Sequence, residues 1–427
     1  MTRNIAFVTY ETPYSPGGGI AAVMAYLPRA IQELSKNPVF VISPFHFNIT
    51  KTKNSEPAMI KLATISVSFD GKDIDLDVML LDKEVKWIFL KSKGEIHQDT
   101  PFFGGELHPY DVQPMTSKGH PVLKRDSLFF GKAVSQALPE LTSKKEWIVL
   151  MQDWEAATTA LVNLGVESEN PDIAQYLTIH NTYDSGISGS DLLQINPESE
   201  EISGETVLEC ALPLIHDPVF TVSEQFALDL SSEILQTKIM IPHLISALTP
   251  RLIGVNNGPF VQSSVPEKAL ASARTGNYGA IHAWKAKNRE LAFAAVDEIR
   301  RSEQTPIWGN RAKFDREESP WFVMAGRDDS RQKGYEIACL AIDELLSKDM
   351  PARFLFFPIP GDEGLPGIEF IHDLAKKYPH QVICFPFLFK EGFFAVMRGA
   401  TYGIMPSYYE PFGMANEYYL TGVVCIG

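Results

Sequence analysis

The chain has little cysteine. Its 427 residues include four cysteines, Cys210, Cys339, Cys384 and Cys425. They lie far apart in apolar surroundings, with neither C-x-x-C spacing nor a neighbouring histidine cluster. Disulfide frameworks and structural zinc sites both need closer groupings. The sequence therefore predicts reduced core thiols and no metal site.

Long apolar runs and an excess of positive charge are also missing. No segment reaches the roughly 20 apolar residues that a membrane-spanning helix needs, and the N-terminus lacks the pattern of a signal peptide. Lys and Arg total 38 against 53 Asp and Glu, which gives a formal net charge of −15. Because phosphate backbones bind clustered cations, we expect a cytoplasmic protein that binds neither nucleic acid nor membrane. A local basic pocket still allows a small anionic ligand.

The sequence does contain an alternation of strand and helix patterns. A strand over residues 5–9, a helix over 20–34 and a strand over 39–43 open this series. The alternating residues 61–69 and the apolar residues 78–81 indicate antiparallel strands inserted into or beside the sheet. Further strands are predicted over residues 147–151, 176–179 and 219–222. This order is typical of an α/β fold with a doubly wound sheet.

A second series of strands begins in the later half of the chain. Its strands are predicted over residues 321–325, 353–357, 382–385, 402–405 and 423–426. The loop 256–259 and the charged, helical stretch 261–318 separate the two series. We therefore predict two Rossmann-like domains, residues 1–255 and 256–427, and a chain of this length suits two or three compact units.

A glycine-rich loop, residues 15–20, joins the first strand to the first helix. Glycines such as Gly18 and Gly19 let backbone N–H groups approach a phosphate at a helix N-terminus. The loop has neither the G-x-G-x-x-G nor the G-x-x-x-x-G-K pattern. A simple tight turn therefore explains it at least as well as an anion site.

Polar residues follow three of the predicted strands in the first half. Asp153, His180 with Asn181, and Ser223 with Glu224 lie where open α/β sheets bind ligands, beyond the carboxyl ends of their strands. His180 taken alone fits a structural histidine, and Asp153 fits a helix cap. Their shared position favours a ligand site, and capping and ligand contact can coexist.

The second half contains a sharper pattern. Arg327 ends a predicted strand, and Lys333 follows six residues later at the start of a helix, so that two cations can neutralise a diphosphate. Glu410 lies in a Pro/Gly loop within residues 405–417, between a strand and a helix, where it can accept hydrogen bonds from sugar hydroxyls. An exposed basic loop would explain the cations but not the whole combination.

These motifs resemble those of glycogen and starch synthases and their relatives of the GT-B fold. The run P-S-Y-Y-E-P-F-G at 406–413 and A-G-R with Q-K-G at 325–334 resemble the donor-binding half. Q-D-W at 152–154, T-I-H-N at 178–181, T-V-S-E at 221–224 and N-N-G-P-F at 256–260 resemble the other half, in the same order. The resemblance implies two Rossmann-like domains facing a cleft, the first on the acceptor side and the second binding the nucleotide sugar.

The resemblance also implies an activity and a set of site residues. The activity is retaining transfer of a glucosyl unit from ADP- or UDP-glucose to the non-reducing end of an α-1,4-glucan, with no cofactor and no metal. Its implied catalytic residues are His180, Arg327, Lys333 and Glu410. The implied donor-binding residues are Gly18, Gly19, Gly413, Met414, Ala415 and Tyr418, and those on the acceptor side are Asp153 and Asn181.

The chain departs from the family pattern at three places. Pro16 stands where bacterial and plant synthases carry a phosphate-contacting lysine, which weakens an assignment to ADP-glucose. The spacing of six between Arg327 and Lys333 resembles the animal and fungal enzymes instead. Relatives continue beyond residue 427, so we expect an incomplete C-terminal domain. The alternatives are a hexosyltransferase with another acceptor, or a GT-B-shaped protein that binds sugar or a partner without turnover.

Overall fold

The computed structural model gives the fold over most of the chain. The described residues are 3–46, 49, 59–93, 101–102, 121–143, 146–162, 173–196, 204–232, 242–260, 262–301, 307–310, 319–328, 332–360, 364–387, 389–413 and 415–427. The chain divides into two compact units, Met1–Asn257 and Gly258–Gly427. The sequence places a domain boundary near residue 256.

The first unit is built on one nine-stranded sheet. Its strands are β1 (Asn4–Val8), β2 (Val39–Pro44), β3 (Ile60–Phe69), β4 (Lys72–Asp82), β5 (Lys86–Ser92), β6 (Trp147–Gln152), β7 (Ile173–Ile179), β8 (Val219–Thr221) and β9 (Leu252–Gly254). They lie in the order β3-β4-β5-β2-β1-β6-β7-β8-β9. From β5 to β9 every neighbouring pair is parallel, as the sequence predicts for a doubly wound fold.

The helices of this unit follow the strands along the chain. They are α1 (Gly19–Ser35), α2 (Pro121–Leu141), α3 (Asp153–Leu161), α4 (Gly189–Ile195), α5 (Val207–Ala211), α6 (Glu224–Ser232) and α7 (Ile245–Leu248), with 3-10 turns at Leu212–Leu214 and Pro242–Leu244. β1 and β2 are buried throughout, which suits central strands of a parallel sheet covered on both faces.

The antiparallel strands expected at residues 61–69 and 78–81 extend one edge of this sheet. β3 and β4 form a hairpin through Asp70 and Gly71, whose positive φ values of 50° and 70° suit a tight two-residue turn. β4 pairs antiparallel with β5, and β5 pairs parallel with β2. β4 is longer than the predicted strand at 78–81, and the sequence reading missed β5.

The second unit has a smaller, fully parallel sheet. Its strands are β10 (Trp321–Arg327), β11 (Arg353–Ile359), β12 (Val382–Cys384), β13 (Tyr402–Ile404) and β14 (Val424–Ile426), in the order β12-β11-β10-β13-β14. Its helices are α8 (Glu267–Arg274), α9 (Gly279–Arg301), α10 (Tyr335–Leu346), α11 (Glu369–Lys377), α12 (Lys390–Gly399) and α13 (Ala415–Leu420), with a 3-10 turn at Leu365–Ile368.

Two apolar cores cover the two faces of this smaller sheet. On β11, Leu355 and Phe357 point to the core shared with α9 and α12. Phe354 and Phe356 point to the opposite core, shared with α10 and α11. Successive side chains of a strand face opposite ways, so the near-continuous apolar sequence of β11 is what a strand buried on both faces requires. The sheet is thereby fixed from both sides.

All four cysteines are free thiols, as predicted; three are buried and Cys425 is half-buried. Burial raises the pKa of the Cys339 thiol to about 12. Within the described ranges, none of the helices combines the length and apolar character that a bilayer crossing would need.

Candidate functional site

The predicted site residues cluster where the strand order of each sheet reverses. In the first unit the reversal lies between β1 and β6, and in the second between β10 and β13. Loops at such a switch point diverge to opposite faces of the sheet and leave a crevice at the carboxyl ends of the strands. The glycine loop and Asp153 follow β1 and β6, while Arg327 and Glu410 follow β10 and β13. Each unit therefore has a candidate ligand-binding edge.

In the first unit, Asp153 ties two strand ends together. It is the first residue of α3, and its backbone has a positive φ of 61°. Its Oδ1 accepts the backbone N–H of His180 at 2.5 Å and that of Asn181 at 3.3 Å. No side-chain bond caps α3, so the interpretation of Asp153 as a cap of its own helix is wrong. The carboxylate instead fixes the segment that follows β7.

The His180 side chain is held by the residue before Asp153. Its Nε2–H donates to Gln152 Oε1 at 2.8 Å, because an amide oxygen can only accept. Burial lowers the pKa of His180 to about 4, since a charged imidazolium loses its hydration there. His180 is therefore neutral at pH 7 and can act through hydrogen bonds and packing.

Two buried carboxyl groups lie on α3, whose first residue, Asp153, bonds to the backbone of this histidine. Burial raises the pKa of Asp153 to about 7, against the two backbone N–H donors and with the help of the Glu11 charge. The pKa of Glu155, also fully buried, is raised by burial and by Asp153, Glu11 and Asp184. The first unit therefore offers a neutral imidazole and proton-bearing carboxyls, groups that suit sugar hydroxyls better than phosphate.

The glycine loop is already bonded within the chain. The Glu11 carboxylate accepts the N–H of Gly17 at 2.9 Å and also the N–H of Gly18. Gly18 is the N-cap residue of α1, and Gly19 is its first residue. Both Gly18 and Gly19 are exposed, but only Gly19 keeps an N–H without an acceptor in the described part of the chain. Sequence reasoning missed Glu11, because nothing in its local pattern specifies the loop as its partner.

The polar residues that follow β8, Ser223 and Glu224, make hydrogen bonds within the chain. The Ser223 hydroxyl accepts the N–H of Phe226 at 2.9 Å, as an N-cap of α6 does. The backbone N–H of Glu224 donates to Asn256 Oδ1 at 3.0 Å. These contacts join the segments after β8 and β9.

In the second unit, Lys333 and Glu410 form an ion pair. Lys333 Nζ lies 2.6 Å from Glu410 Oε1, with the two side chains 22% and 14% exposed. The Ser407 hydroxyl donates to the same carboxylate oxygen at 2.7 Å. Both contacts use Oε1, which leaves Oε2 of Glu410 to accept hydrogen bonds from other donors. Ser407 is a residue that the sequence reading did not single out.

The loop at residues 332–334 is bonded to the loop at residues 406–409 beside this pair, and we call this contact the clasp. The N–H of Tyr408 donates to the carbonyl of Gln332 at 2.8 Å, and Gln332 Nε2 donates to the carbonyl of Tyr409 at 3.4 Å. Gly334 has a positive φ of 66°, and a Cβ there would lie 2.2 Å from the carbonyl oxygen of Pro406. Only glycine permits this approach without strain. The clasp explains how residues 77 positions apart meet in one ion pair.

Arg327 lies beside the clasp, at the end of β10, with an exposed side chain. The preceding residue, Gly326, has a φ of 141°, and the stem of Lys333 passes within 3.7 Å of its Cβ position. Tyr335 anchors the same turn, since its hydroxyl donates to the carbonyl of Gly326 at 3.1 Å. The two predicted cations thus emerge from one rigid turn.

The remaining predicted donor residues have different positions. Gly413, with a φ of 76°, packs against Glu410, and Ala415 begins α13. Met414 lies outside the described residues. Tyr418 is 1% exposed in the core beneath Gly403, and its phenolic oxygen receives a backbone hydrogen bond from Ala325. This position makes Tyr418 a support for the end of β10 and leaves its ring no surface for a donor.

Comparison with known proteins shows which family the chain belongs to. The family model of the starch synthase catalytic domain matches residues 4–239, more than half of the chain. The glycogen synthases of Pseudothermotoga lettingae and of Bacillus cereus strain Q1 are each 22% identical to the chain. Both alignments cover 97% of this chain and 80% of the relative.

Solved structures give the same fold. The catalytic domain of starch synthase IV from Arabidopsis thaliana, bound to ADP and acarbose, matches 99% of this chain and 82% of its own, with a TM-score of 0.73 and 18% identity. An α,α-trehalose-phosphate synthase from Burkholderia vietnamiensis matches 99% of this chain and 82% of its own at a TM-score of 0.50 and 11% identity. Two Rossmann-like units, the ordered motifs and the family match together show that the chain belongs to the starch synthase catalytic domain family of GT-B glycosyltransferases.

Proposed function

We propose that the chain transfers a glucosyl unit from a nucleotide sugar to the non-reducing end of an α-1,4-glucan, with retention of the anomeric configuration. Support comes from the family, from relatives named glycogen synthase and from a fold neighbour solved with ADP and acarbose. Nucleotide sugar and glucan are the expected partners. A cytoplasmic location stays a prediction from the sequence.

The observation that carries the proposal is the Lys333–Glu410 pair beside Arg327 at the switch point of the second sheet. When the glycosyl bond breaks, negative charge develops on the departing diphosphate. Fixed cations that face this charge stabilise the transition state. In this proposal Lys333 and Arg327 supply them, and Glu410 accepts hydrogen bonds from donor-sugar hydroxyls.

The first unit supplies the acceptor side of this proposal. Asp153 and Asn181 lie together through their shared bond, and the neutral His180 ring adjoins them. Carboxyl and amide groups bind sugar hydroxyls as both donors and acceptors. We assign Asp153 and Asn181 to the glucan and His180 to the face of the transferred sugar. No cofactor or metal is needed in this scheme.

The donor nucleotide is the least constrained part of the proposal. Pro16 removes the lysine that bacterial and plant synthases place before their glycines, and Glu11 bonds to the Gly17 and Gly18 amides. Both features reduce the positive charge that the first unit offers to a phosphate. We therefore keep ADP-glucose and UDP-glucose as equal candidates.

The test incubates the chain with each donor and with glycogen. Released nucleoside diphosphate and label incorporated into glucan are both measured. We expect incorporation from one donor, and its loss in Glu410→Gln. Tight binding of glycogen or nucleotide without incorporation from either donor would instead support the non-catalytic alternative. Diphosphate release with label on another acceptor would point to a different hexosyltransferase.

A further inference from the structure

Glu11 occupies an unusual position for a carboxylate. It follows β1 by three residues, is only 3% exposed and has its backbone fixed by Thr9, whose hydroxyl donates to the Glu11 carbonyl at 2.8 Å. Its side chain turns back to the loop before α1 and accepts the N–H groups of Gly17 and Gly18. A buried carboxylate held by two backbone donors is fixed in place.

The Glu11 carboxylate caps the N-terminus of α1, a role that the side chain of the N-cap residue has in many other helices. Gly18, the N-cap of α1, has no side chain, and the first turn of α1 contains no acidic residue. The first N–H groups of a helix need acceptors, and the positive end of the helix dipole favours a negative charge there. Glu11 meets both needs from outside the helix.

The bonds to Glu11 also determine which glycine N–H of the loop has no acceptor among the described residues. The amides of Gly17 and Gly18 are taken, whereas Gly19 N–H has no acceptor within the described ranges. A Cβ at Gly19 would meet nothing within 4 Å. We propose that Glu11 is a positioning residue of the transfer reaction, which holds the Gly17–Gly18 turn closed so that Gly19 is the glycine of the loop whose N–H is presented. This inference rests on the proposed function.

The charge of Glu11 reaches the acceptor side of the same edge. It acts on Asp153, which also bonds to the backbone after β7, and on Glu155 of α3, which in turn faces Asp153 and Asp184. Tyr10, the neighbour of Glu11, faces Asp126 and Glu155. A negative charge at Glu11 favours the protonated form of Asp153. One residue thus couples the shape of the glycine loop to the protonation of the neighbouring carboxyl.

Two substitutions separate these effects. Glu11→Ala removes both bonds, whereas Glu11→Gln keeps the shape and an accepting oxygen but removes the charge. Glu209 is a matched control, because its carboxylate also accepts two backbone N–H groups, from Glu205 at 2.7 Å and Thr206 at 3.2 Å, at the start of α5. Its substitutions remove the same kind of bonds away from the glycine loop.

The first measurement is amide hydrogen exchange of the peptide that contains Gly17 and Gly18. We expect exchange at least about tenfold faster in Glu11→Ala, because a charge-assisted bond is lost, and no change there in Glu209→Ala. Unchanged exchange would overturn the proposal. This measurement needs no activity, so it stands even if the full chain transfers sugar from neither donor, an outcome that would refute the proposed function instead.

The second measurement is the kinetic one. We expect kcat/KM to fall at least about tenfold in Glu11→Ala, and to stay within about twofold in Glu209→Ala. In Glu11→Gln the limb of the pH profile that follows Asp153 should move to lower pH, because Asp153 loses a neighbouring negative charge. Faster exchange combined with kinetics and pH profiles that match the Glu209 variants would reduce Glu11 to a structural residue, and so overturn the proposal.

Discussion

At the scale of single residues, the Lys333–Glu410 pair sets both stability and activity. Lys333→Met removes the cation and leaves a largely buried carboxylate that keeps its hydrogen bond from Ser407. We expect kcat/KM for the donor to fall about 10²- to 10³-fold. The free energy of unfolding should fall by about 1–3 kcal/mol, less than for a fully buried pair.

A double variant separates the two effects. Lys333→Met with Glu410→Gln removes the unpaired charge, so most of the lost stability should return while activity stays low. Urea unfolding and donor kinetics measure the two quantities. A double variant as unstable as the sum of the single ones would contradict the pairing, because coupled residues are not additive.

The raised pKa of Asp153 predicts a stability that falls as pH rises. Its pKa is about 7 in the folded chain against an ordinary value near 3.9. Between these values the folded state keeps a proton that the unfolded state has released, so the free energy of unfolding declines across this window. A tenfold difference in proton affinity is worth about 1.4 kcal/mol.

Asp153→Asn should flatten this decline between about pH 4 and pH 7. Asparagine tolerates the positive φ and keeps an oxygen for the two backbone donors. Asp191→Asn is the opposing control: burial acts to raise the Asp191 pKa, but bonds from Ser188 and Lys124 lower it overall, so its stabilisation is lost as pH falls. Urea unfolding at several pH values tests both. Equal slopes in wild type and Asp153→Asn would rule out the assigned pKa.

At the scale of elements, the start of α10 fixes the loop that carries Glu410. Gly334→Ala would place a Cβ 2.2 Å from the Pro406 carbonyl oxygen, at a φ of 66°. Gly71→Ala is its control, because Gly71 has a similar φ of 70° and nothing within 4 Å of its Cβ position. Both should lose about 1 kcal/mol through backbone strain.

Gly334→Ala should lose a further 1–3 kcal/mol, roughly, through overpacking, together with most donor binding. Urea unfolding and titration with ADP and UDP check this. Similar stability and similar nucleotide affinity in the two variants would mean that the clasp does not depend on the close approach of Gly334.

The strands also show how much of the fold the sequence predicts. Strands such as β1, β2 and β6 were predictable to within a residue or two, because buried parallel strands are short apolar runs bounded by loops. The dipeptide Asp70-Gly71 is also a sequence signal for the hairpin between β3 and β4. β5 was missed, since its Lys-flanked apolar run reveals its pairing with β2 only in the folded sheet.

For the candidate sites, too, the sequence identifies some of the residues but not the contacts between them. Lys333 and Glu410 could be singled out by their motifs, but not their bond, because 77 residues separate them along the chain. Asp153 was located correctly at a strand end, yet its bond to His180 depends on the neighbouring strand. The bonds of Glu11 to the glycine loop are likewise tertiary contacts, which local pattern cannot specify.

At the scale of the whole molecule, the candidate site residues of the two units differ in charge. The net charge is −15, and the first unit has the buried carboxyls Asp153 and Glu155 on α3 together with His180, which is neutral at pH 7. The second unit places Arg327 and Lys333 at one strand end. A nucleotide sugar, as a small anion, is repelled by this net charge at long range. We therefore expect its phosphates to bind where Arg327 and Lys333 bring positive charge together.

This distribution predicts a reaction that is independent of metal ions. Many enzymes of phosphate esters use a divalent cation to neutralise the leaving group, whereas our proposal gives this role to the side chains of Arg327 and Lys333. Throughout the described ranges, no group of three or more His, Cys, Asp or Glu side chains is arranged to hold a metal. We expect dialysis against EDTA to leave the rate of glucosyl transfer within about twofold of its original value, as side-chain cations need no exchangeable ion. A loss of activity that Mg²⁺ or Mn²⁺ restores would contradict this assignment and would require metal ligands outside the described residues.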